Sequence, residues 1–385
     1  MIKIAHIITR MDFGGAHKIA LYLVEHVRKT HFDLRLLSGP GGTRNKIPEG
    51  VNYTQISELR REINPFYDYM AYKHLYSYFR TLAPDIVHTH TSKAGIIARL
   101  AAKAAGVPII VHTVHGWGFN SRQLFPLRES FVLAEKYCAS FTDTLVFVSE
   151  SNMKEAERRG IGSPEKYNLI RAGIHLNDYP SHADKAGIRA SLGVPRDAVM
   201  VYYIGNTKKQ KNPGDFIEAA SRIIPGRPDV YFVFSGGGEK LAHYRAEAEK
   251  RGLGGRFIFT DWREDAADIL AASDIYAMTS LWEGLPISLV EAFASGVPAV
   301  CYRADGIADI LKDGENGFSV PCGDVSGFCD RLSKMIDDAG TRSGLAEGAK
   351  NMDLKEFDLD YTVQQYETLY RKVVDRTYSR YAKEK

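Results

Sequence analysis

A chain of 385 residues, 44% hydrophobic, 25% charged and 11% aromatic with a formal net charge of +3, reads as a globular protein too long for one ordinary core. No apolar run approaches the ~20 residues of a membrane span, and MIKIAHIITR at the N-terminus reads as a first core strand rather than a signal peptide. Cys138, Cys301, Cys322 and Cys329 form no CxxC pair, so neither a zinc knuckle nor a disulfide framework is supported, and a cytoplasmic, reducing setting is expected.

Charge is unevenly spread. Residues 1–175 hold 23 Lys+Arg and 15 Asp+Glu, whereas residues 176–354 hold 20 and 26. A basic half beside an acidic half implies that only the first meets something anionic, such as a membrane surface or a phosphorylated acceptor. No nucleic-acid-binding module is recognisable, so no nucleic acid partner is expected.

In chain order, the strand KIAHIIT (3–9) precedes a helix in GGAHKIALYLVEHVRKT and the strand FDLRLLS (32–38). NPFYDYMAYKHLYSYFR (64–80) sets Tyr69, Tyr72, Tyr76 and Phe79 at helical spacing, which predicts mostly core contacts. Then come DIVHTH (85–90), a helix over 94–105, VPIIVHTVH (107–115), a helix ending near Ala139 and DTLVFVS (143–149). After a polar stretch the rhythm resumes with strands at 199–205, 230–236, 256–261, 274–280 and 297–303. The chain ends in a long helix striped with Val363, Tyr366, Tyr370 and Val373. This alternation predicts an α/β protein of two doubly wound Rossmann-like domains with parallel sheets. The expected domains are 1–175 and 176–354, with 355–385 a helix crossing back to the first. Their facing cleft is the expected active site.

Several segments carry chemistry. SLWEGLPISLVEAFASGVPAV (280–300) places Glu283 in a loop, Pro286 in the first turn of a helix and Glu291 more than a turn further on. The backbone N–H groups of Gly284, Leu285 and Ile287 are then expected unpaired at the positive end of a helix, an anion site. Carboxylates beside it suit the hydroxyls of a sugar or ribose attached to phosphate; the alternative reading is one solvated glutamate and one that caps the helix. YIGNTKKQKNPGDF sets Lys208, Lys209 and Lys211 after a strand, able to neutralise a diphosphate or simply to be solvated. Gly14 and Gly15 open a helix after the first strand without forming GxGxxG. Lys93, in HTHTSKAG, faces either the cleft and an anionic acceptor or solvent. Of His88, His90, His112 and His115, His115 is best placed to reach a substrate hydroxyl. No neighbouring Cys or carboxylate completes a ligand set, so no metal is expected.

Together these features resemble the GT-B retaining glycosyltransferases of family four, the glycosyl transferases group 1, over nearly the whole chain. EGLPISLVEAFASGVPAV matches that family's paired-glutamate motif, and HTHTSKAGIIARLAAKAAGVPIIVHTVHG is similar to bacterial enzymes that build surface polysaccharides on lipid carriers. The resemblance implies a UDP-sugar donor, a hydroxyl acceptor and no metal or other cofactor. It places Glu283 at the sugar hydroxyls and the backbone of Gly284, Leu285, Pro286 and Ile287 at sugar and phosphate. Glu291 falls at the ribose, Arg263 where backbone meets the base, Lys211 at the diphosphate and His115 at the transferred sugar. Two positions depart from the family pattern: Asn206 stands where arginine is usual, and His17 where glutamate is frequent. Three readings stay open at this point: a peripheral enzyme acting on lipid-linked acceptors at the inner face of a membrane, a transferase using a small soluble acceptor, and a nucleotide-sugar-binding protein without turnover.

Overall fold

The computed structural model describes all residues except 12–14, 42–46, 180–183 and 384–385, with the side chains of 380–383 also outside the description. The chain divides into two compact units, Met1–Gly173 together with Leu359–Lys385, and Ile174–Asp358. The boundaries fall at 173 and 358, against 175 and 354 from the sequence.

The first unit runs β1 (Ile2–Ile8), α1 (Gly15–His26), β2 (Phe32–Ser38), β3 (Tyr53–Gln55), α2 (Pro65–Leu82), β4 (Ile86–His90), α3 (Ser92–Ala105), β5 (Ile109–Val114), α4 (Phe125–Ser140), β6 (Thr144–Phe147), α5 (Glu150–Arg159) and β7 (Tyr167–Leu169). The second has α6 (Lys185–Ser191), β8 (Val199–Ile204), α7 (Pro213–Ile223), β9 (Val230–Ser235), α8 (Leu241–Lys250), β10 (Phe257–Phe259), α9 (Ala266–Ala272), β11 (Ile275–Met278), α10 (Ile287–Ala294), β12 (Ala299–Tyr302), β13 (Gly317–Val320), α11 (Val325–Asp337) and α12 (Ala339–Lys350). The final helix, α13 (Leu359–Lys383), belongs to the first unit.

All strand pairings in the two sheets are parallel, in the orders β3-β2-β1-β4-β5-β6-β7 and β10-β9-β8-β11-β12-β13. Central strands such as IVHTH and VMVYYI are buried along nearly their whole length, as a sheet covered on both faces requires. The order reverses between β1 and β4 in one unit and between β8 and β11 in the other. Such reversals open the crevices at strand carboxyl ends where ligands bind in this class of sheet.

Helix ends follow local chemistry. Asn64 Oδ1 accepts the Phe66 and Tyr67 amides at 3.1 and 3.3 Å, with Pro65 behind it, to start α2. The expected aromatic core on α2 needs correcting. Phe79 is buried and Tyr72 packs against the core, but Tyr69 is 60% and Tyr76 38% exposed. The buried stripe runs through Ala71, Leu75 and Phe79, and at 3.6 residues per turn Tyr69 and Tyr76 fall about 100–120° from its centre, at its solvent edge. The stripe on α13 is buried as expected, at Val363, Tyr366, Tyr370 and Val373. Tyr22 donates to Asp360 at 2.8 Å and Arg28 pairs with Glu367 at 2.5 Å, fixing that helix to the first unit.

Candidate active site

In the second unit, the loops leaving β8 and β11 are stitched together at the switch point. Leu281 N donates to Gln210 O at 2.8 Å and Gln210 Nε2 to Trp282 O at 2.9 Å. Thr279 Oγ1 donates to Asn212 O at 2.8 Å, and Tyr203 OH to Lys211 O. The product of this stitching is an ion pair, Lys211 Nζ to Glu283 Oε1 at 2.6 Å, with side chains only 16% and 7% exposed. The two residues are 72 apart in sequence, and both come from segments singled out above. The Lys211 stem runs past Gly205, where a Cβ would lie 3.4 Å from Lys211 Cγ, an ordinary packing distance. Gly236 has φ +145°, and a Cβ there would strike Gly205 O at 1.7 Å. Glycine is therefore required for the loop after β9 to close on the loop after β8.

The glutamate loop departs from expectation in one detail. Pro286 caps α10 with extended backbone (φ −77°, ψ 94°) instead of lying in its first turn; its ring tolerates both positions. Glu283 N donates to Asp305 Oδ2 at 3.0 Å, which ties the start of the loop to the segment after β12. Leu285 and Pro286 are buried, and Ile287 opens the helix. Glu291 lies inside α10, where Tyr179 OH donates to its Oε1 at 2.8 Å. Burial first, and then the Glu291 charge, raise the Tyr179 hydroxyl far above its ordinary value, so it stays a donor.

Asn206 Oδ1 accepts the Lys208 amide at 3.0 Å, an Asx turn that curls the lysine loop, and Lys208 and Lys209 are exposed. The Arg263 guanidinium is held in a fork by Asp265, Nε to Oδ1 at 2.6 Å and Nη2 to Oδ2 at 2.5 Å. Cys301, beneath Glu283, has its thiol raised by burial and then by that carboxylate, which rules it out as a nucleophile.

In the first unit the switch point is tied by Thr9 and Thr91, whose hydroxyls meet at 2.7 Å. Thr91 is held at φ 65°, ψ 149°, a conformation that costs a non-glycine residue energy and concentrates at functional sites. Gly14 lies outside the described residues, and Gly15 begins α1. Lys93 pairs with Asp68 at 2.6 Å and donates to Glu62 O, so the structure gives it protein partners.

His115, half-buried after β5, heads a ladder of imidazoles. His90 Nδ1 meets His115 Nε2 at 3.0 Å, and His6 Nδ1 meets His90 Nε2 at 3.1 Å. Burial lowers His115 to about 4 and His6 to about 3, so both are neutral. His88 is bonded by Tyr370 OH at 2.7 Å and Thr113 Oγ1 at 2.8 Å, and His112 by Thr89 Oγ1 at 2.8 Å. His6, His88 and His90 each bring a nitrogen within 4.8 Å of the others, the one group among the described residues with the spacing of a metal site. His6, in register with His88 on the adjacent strand, and Tyr179 are the residues that sequence reasoning missed.

Two family models match the chain back to back, a glycosyl transferase 4-like domain over residues 14–173 and glycosyl transferases group 1 over residues 184–352. The chain belongs to this glycosyltransferase family. Among curated proteins it is 29% identical over 375 residues to an Escherichia coli UDP-Gal:alpha-D-GlcNAc-diphosphoundecaprenol alpha-1,3-galactosyltransferase, covering 96% of each chain. It is 24% identical over 361 residues to the N-acetyl-alpha-D-glucosaminyl L-malate synthase of Bacillus anthracis, covering 91% of each. Among solved structures, Anabaena HepE in complex with UDP-glucose superposes with a TM-score of 0.83 at 21% identity, over 96% of this chain and 100% of that one. The fold of this glycosyltransferase is GT-B, and the matched models divide near the unit boundary at residue 173.

Proposed function

We propose that this glycosyltransferase is a retaining, metal-independent enzyme that moves a hexose or N-acetylhexosamine from a UDP-sugar to a hydroxyl of a lipid-linked saccharide. The observation that carries the reading is the Lys211–Glu283 pair at the β8/β11 switch point, with Glu291 a turn into α10. A cation, a helix start and two carboxylates at one crevice match the parts of a nucleotide-sugar: diphosphate, sugar hydroxyls and ribose diol. Glu291, oriented by Tyr179, takes the ribose. Glu283 takes the sugar, and the backbone from Gly284 to Ile287 holds phosphate. Lys211 meets the negative charge that grows on the diphosphate as the glycosidic bond breaks. Lys208 or Lys209 adds charge that Asn206 does not supply. On one face of the sugar, a leaving phosphate oxygen takes the acceptor's proton while the acceptor oxygen bonds the anomeric carbon. His115 hydrogen-bonds a substrate hydroxyl, and Lys93 serves an anionic acceptor only once it leaves Asp68.

The Escherichia coli relative's name, with UDP-Gal as donor and a diphosphoundecaprenol-linked acceptor, supports both substrate classes. The surface of the first unit supports a cytoplasmic enzyme on the inner membrane face. Ile63, Phe66 and Tyr69 on and before α2, and Leu124, Phe125 and Leu127 at the start of α4, are exposed, interleaved with Arg60, Arg61, Lys73, Arg122 and Arg128. Apolar side chains among basic ones fit an anionic lipid interface. No described helix is long and apolar enough to cross a membrane. The test is transfer from a panel of UDP-sugars to lipid-linked saccharides, with neutral or anionic vesicles at two salt concentrations. Transfer to the lipid acceptor, with vesicle binding that weakens as salt rises, is expected. Transfer only to small soluble acceptors, indifferent to vesicles, would overturn the lipid-linked reading.

A further inference from the structure

The ladder His6–His90–His115 is one hydrogen-bonded chain of three neutral rings drawn from β1, β4 and the segment after β5. A neutral imidazole has one N–H and one bare nitrogen, and the bond made at one nitrogen fixes the other. Both contacts are satisfied only if the rings donate in the same direction. Donation inward, from His115 toward His6, would leave the last proton on His6 Nε2. That atom is buried and has no hydrogen-bond partner. Donation outward leaves a bare lone pair there instead, and a buried N–H without a partner is the rarer and costlier defect. A charged His90 donating both ways is excluded, because burial and the neighbouring imidazoles hold it well below its ordinary value. His88 offers no branch, since both its nitrogens are taken by Tyr370 and Thr113. The same commitments argue against a metal held by His6, His88 and His90, which would have to displace bonds already made.

We propose that His6 and His90 are positioning residues that hold His115 in its Nδ1–H tautomer, making it a donor to an oxygen of the substrate. Among the described residues His115 Nδ1 has no hydrogen-bond partner of its own, which leaves that proton for a ligand. The purpose assigned to the tautomer rests on the reading of His115 as a substrate contact, but the tautomer itself does not.

The experiment is long-range proton–nitrogen NMR of the full chain with nitrogen-15-labelled histidine, without substrate, beside kinetics of three variants and metal analysis. The wild-type protein should show His115 protonated on Nδ1 and bare on Nε2. His6→Asn, whose amide nitrogen replaces Nδ1 as donor, should keep that pattern and keep kcat within about twofold. His6→Leu should give a mixture of His115 tautomers and a kcat about tenfold lower at little-changed KM, the loss of one hydrogen bond. An Nε2–H tautomer in the wild type overturns the proposal, as does stoichiometric metal in the purified protein. Full activity of His115→Ala with the expected tautomer would support the ladder and overturn only the substrate reading.

Discussion

Lowering the pH from 7.5 to 5.5 should loosen the first unit and spare the second. His6, His88, His90 and His112 are enclosed there, and burial is the main cause holding each below its ordinary value, His6 at about 3. In the unfolded chain an imidazole takes up its proton near pH ~6.5. Below that value the unfolded state binds protons that the folded state refuses. The effect is absent above pH ~6.5 and grows as pH falls toward the folded values. At pH 5.5 each ring costs about 1.4 kcal/mol, roughly 6 kcal/mol for the four. That is a large part of the ~5–15 kcal/mol by which domains are stable. Paired carboxylates do not confuse this window. Glu129 and Asp265, held low by hydrogen bonds from Arg128 and Arg263, lose their contribution only below about pH 4.5. Two units preclude a single unfolding midpoint, so the assay is hydrogen exchange read by mass spectrometry and corrected for intrinsic rates. Peptides over β1, β4 and β5 should lose several kcal/mol of protection at pH 5.5, while those over β8 and β11 hold theirs. Equal change in both units would refute the reasoning, because buried histidines are confined, among the described residues, to the first.

Other outcomes follow from the same contacts. Lys211→Ala should lower turnover with saturating donor roughly a hundredfold, Lys208→Ala or Lys209→Ala less, and Asn206→Arg should be tolerated; steady-state kinetics decide. Tyr179→Phe should weaken UDP binding by about 0.5–1.5 kcal/mol through a less ordered Glu291, read by titration calorimetry. The buried pair Arg99–Glu135, at 2.6 Å between α3 and α4, should make Glu135→Ala destabilising by about 3–5 kcal/mol, read as lost exchange protection in peptides over α3 and α4. The double variant Arg99→Met/Glu135→Leu should recover most of that loss.

The long central strands and the glutamate loop were legible because their signal is local. A run such as VMVYYIG is buried on both faces and reads as a strand without its neighbours. β3, β7 and β13 were not legible. They have three or four residues and lie at sheet edges, too short for any periodicity to mark them. Lys211 and Glu283 could each be singled out, but their pairing depends on β8 and β11 meeting where the strand order reverses. His6 carries no local mark of function. Its place in the ladder comes from parallel register with β4, more than 80 residues away. Tyr179 was hidden likewise, since its partner lies 112 residues on. Exposure of Tyr69 and Tyr76 could not be read because the four aromatics share one side of α2 and their spacing does not say where the edge of the core falls across it.

The most direct test of the account is titration calorimetry with UDP alone, comparing Glu291→Ala with Glu283→Ala, alongside turnover of the intact UDP-sugar. Glu291→Ala should lose about 1.5–3 kcal/mol of UDP affinity, the worth of a charged hydrogen bond to ribose. Glu283→Ala should keep UDP affinity and lose turnover. Equal loss of UDP binding in both variants, or none in either, would contradict the assignment of this crevice to a nucleotide-sugar.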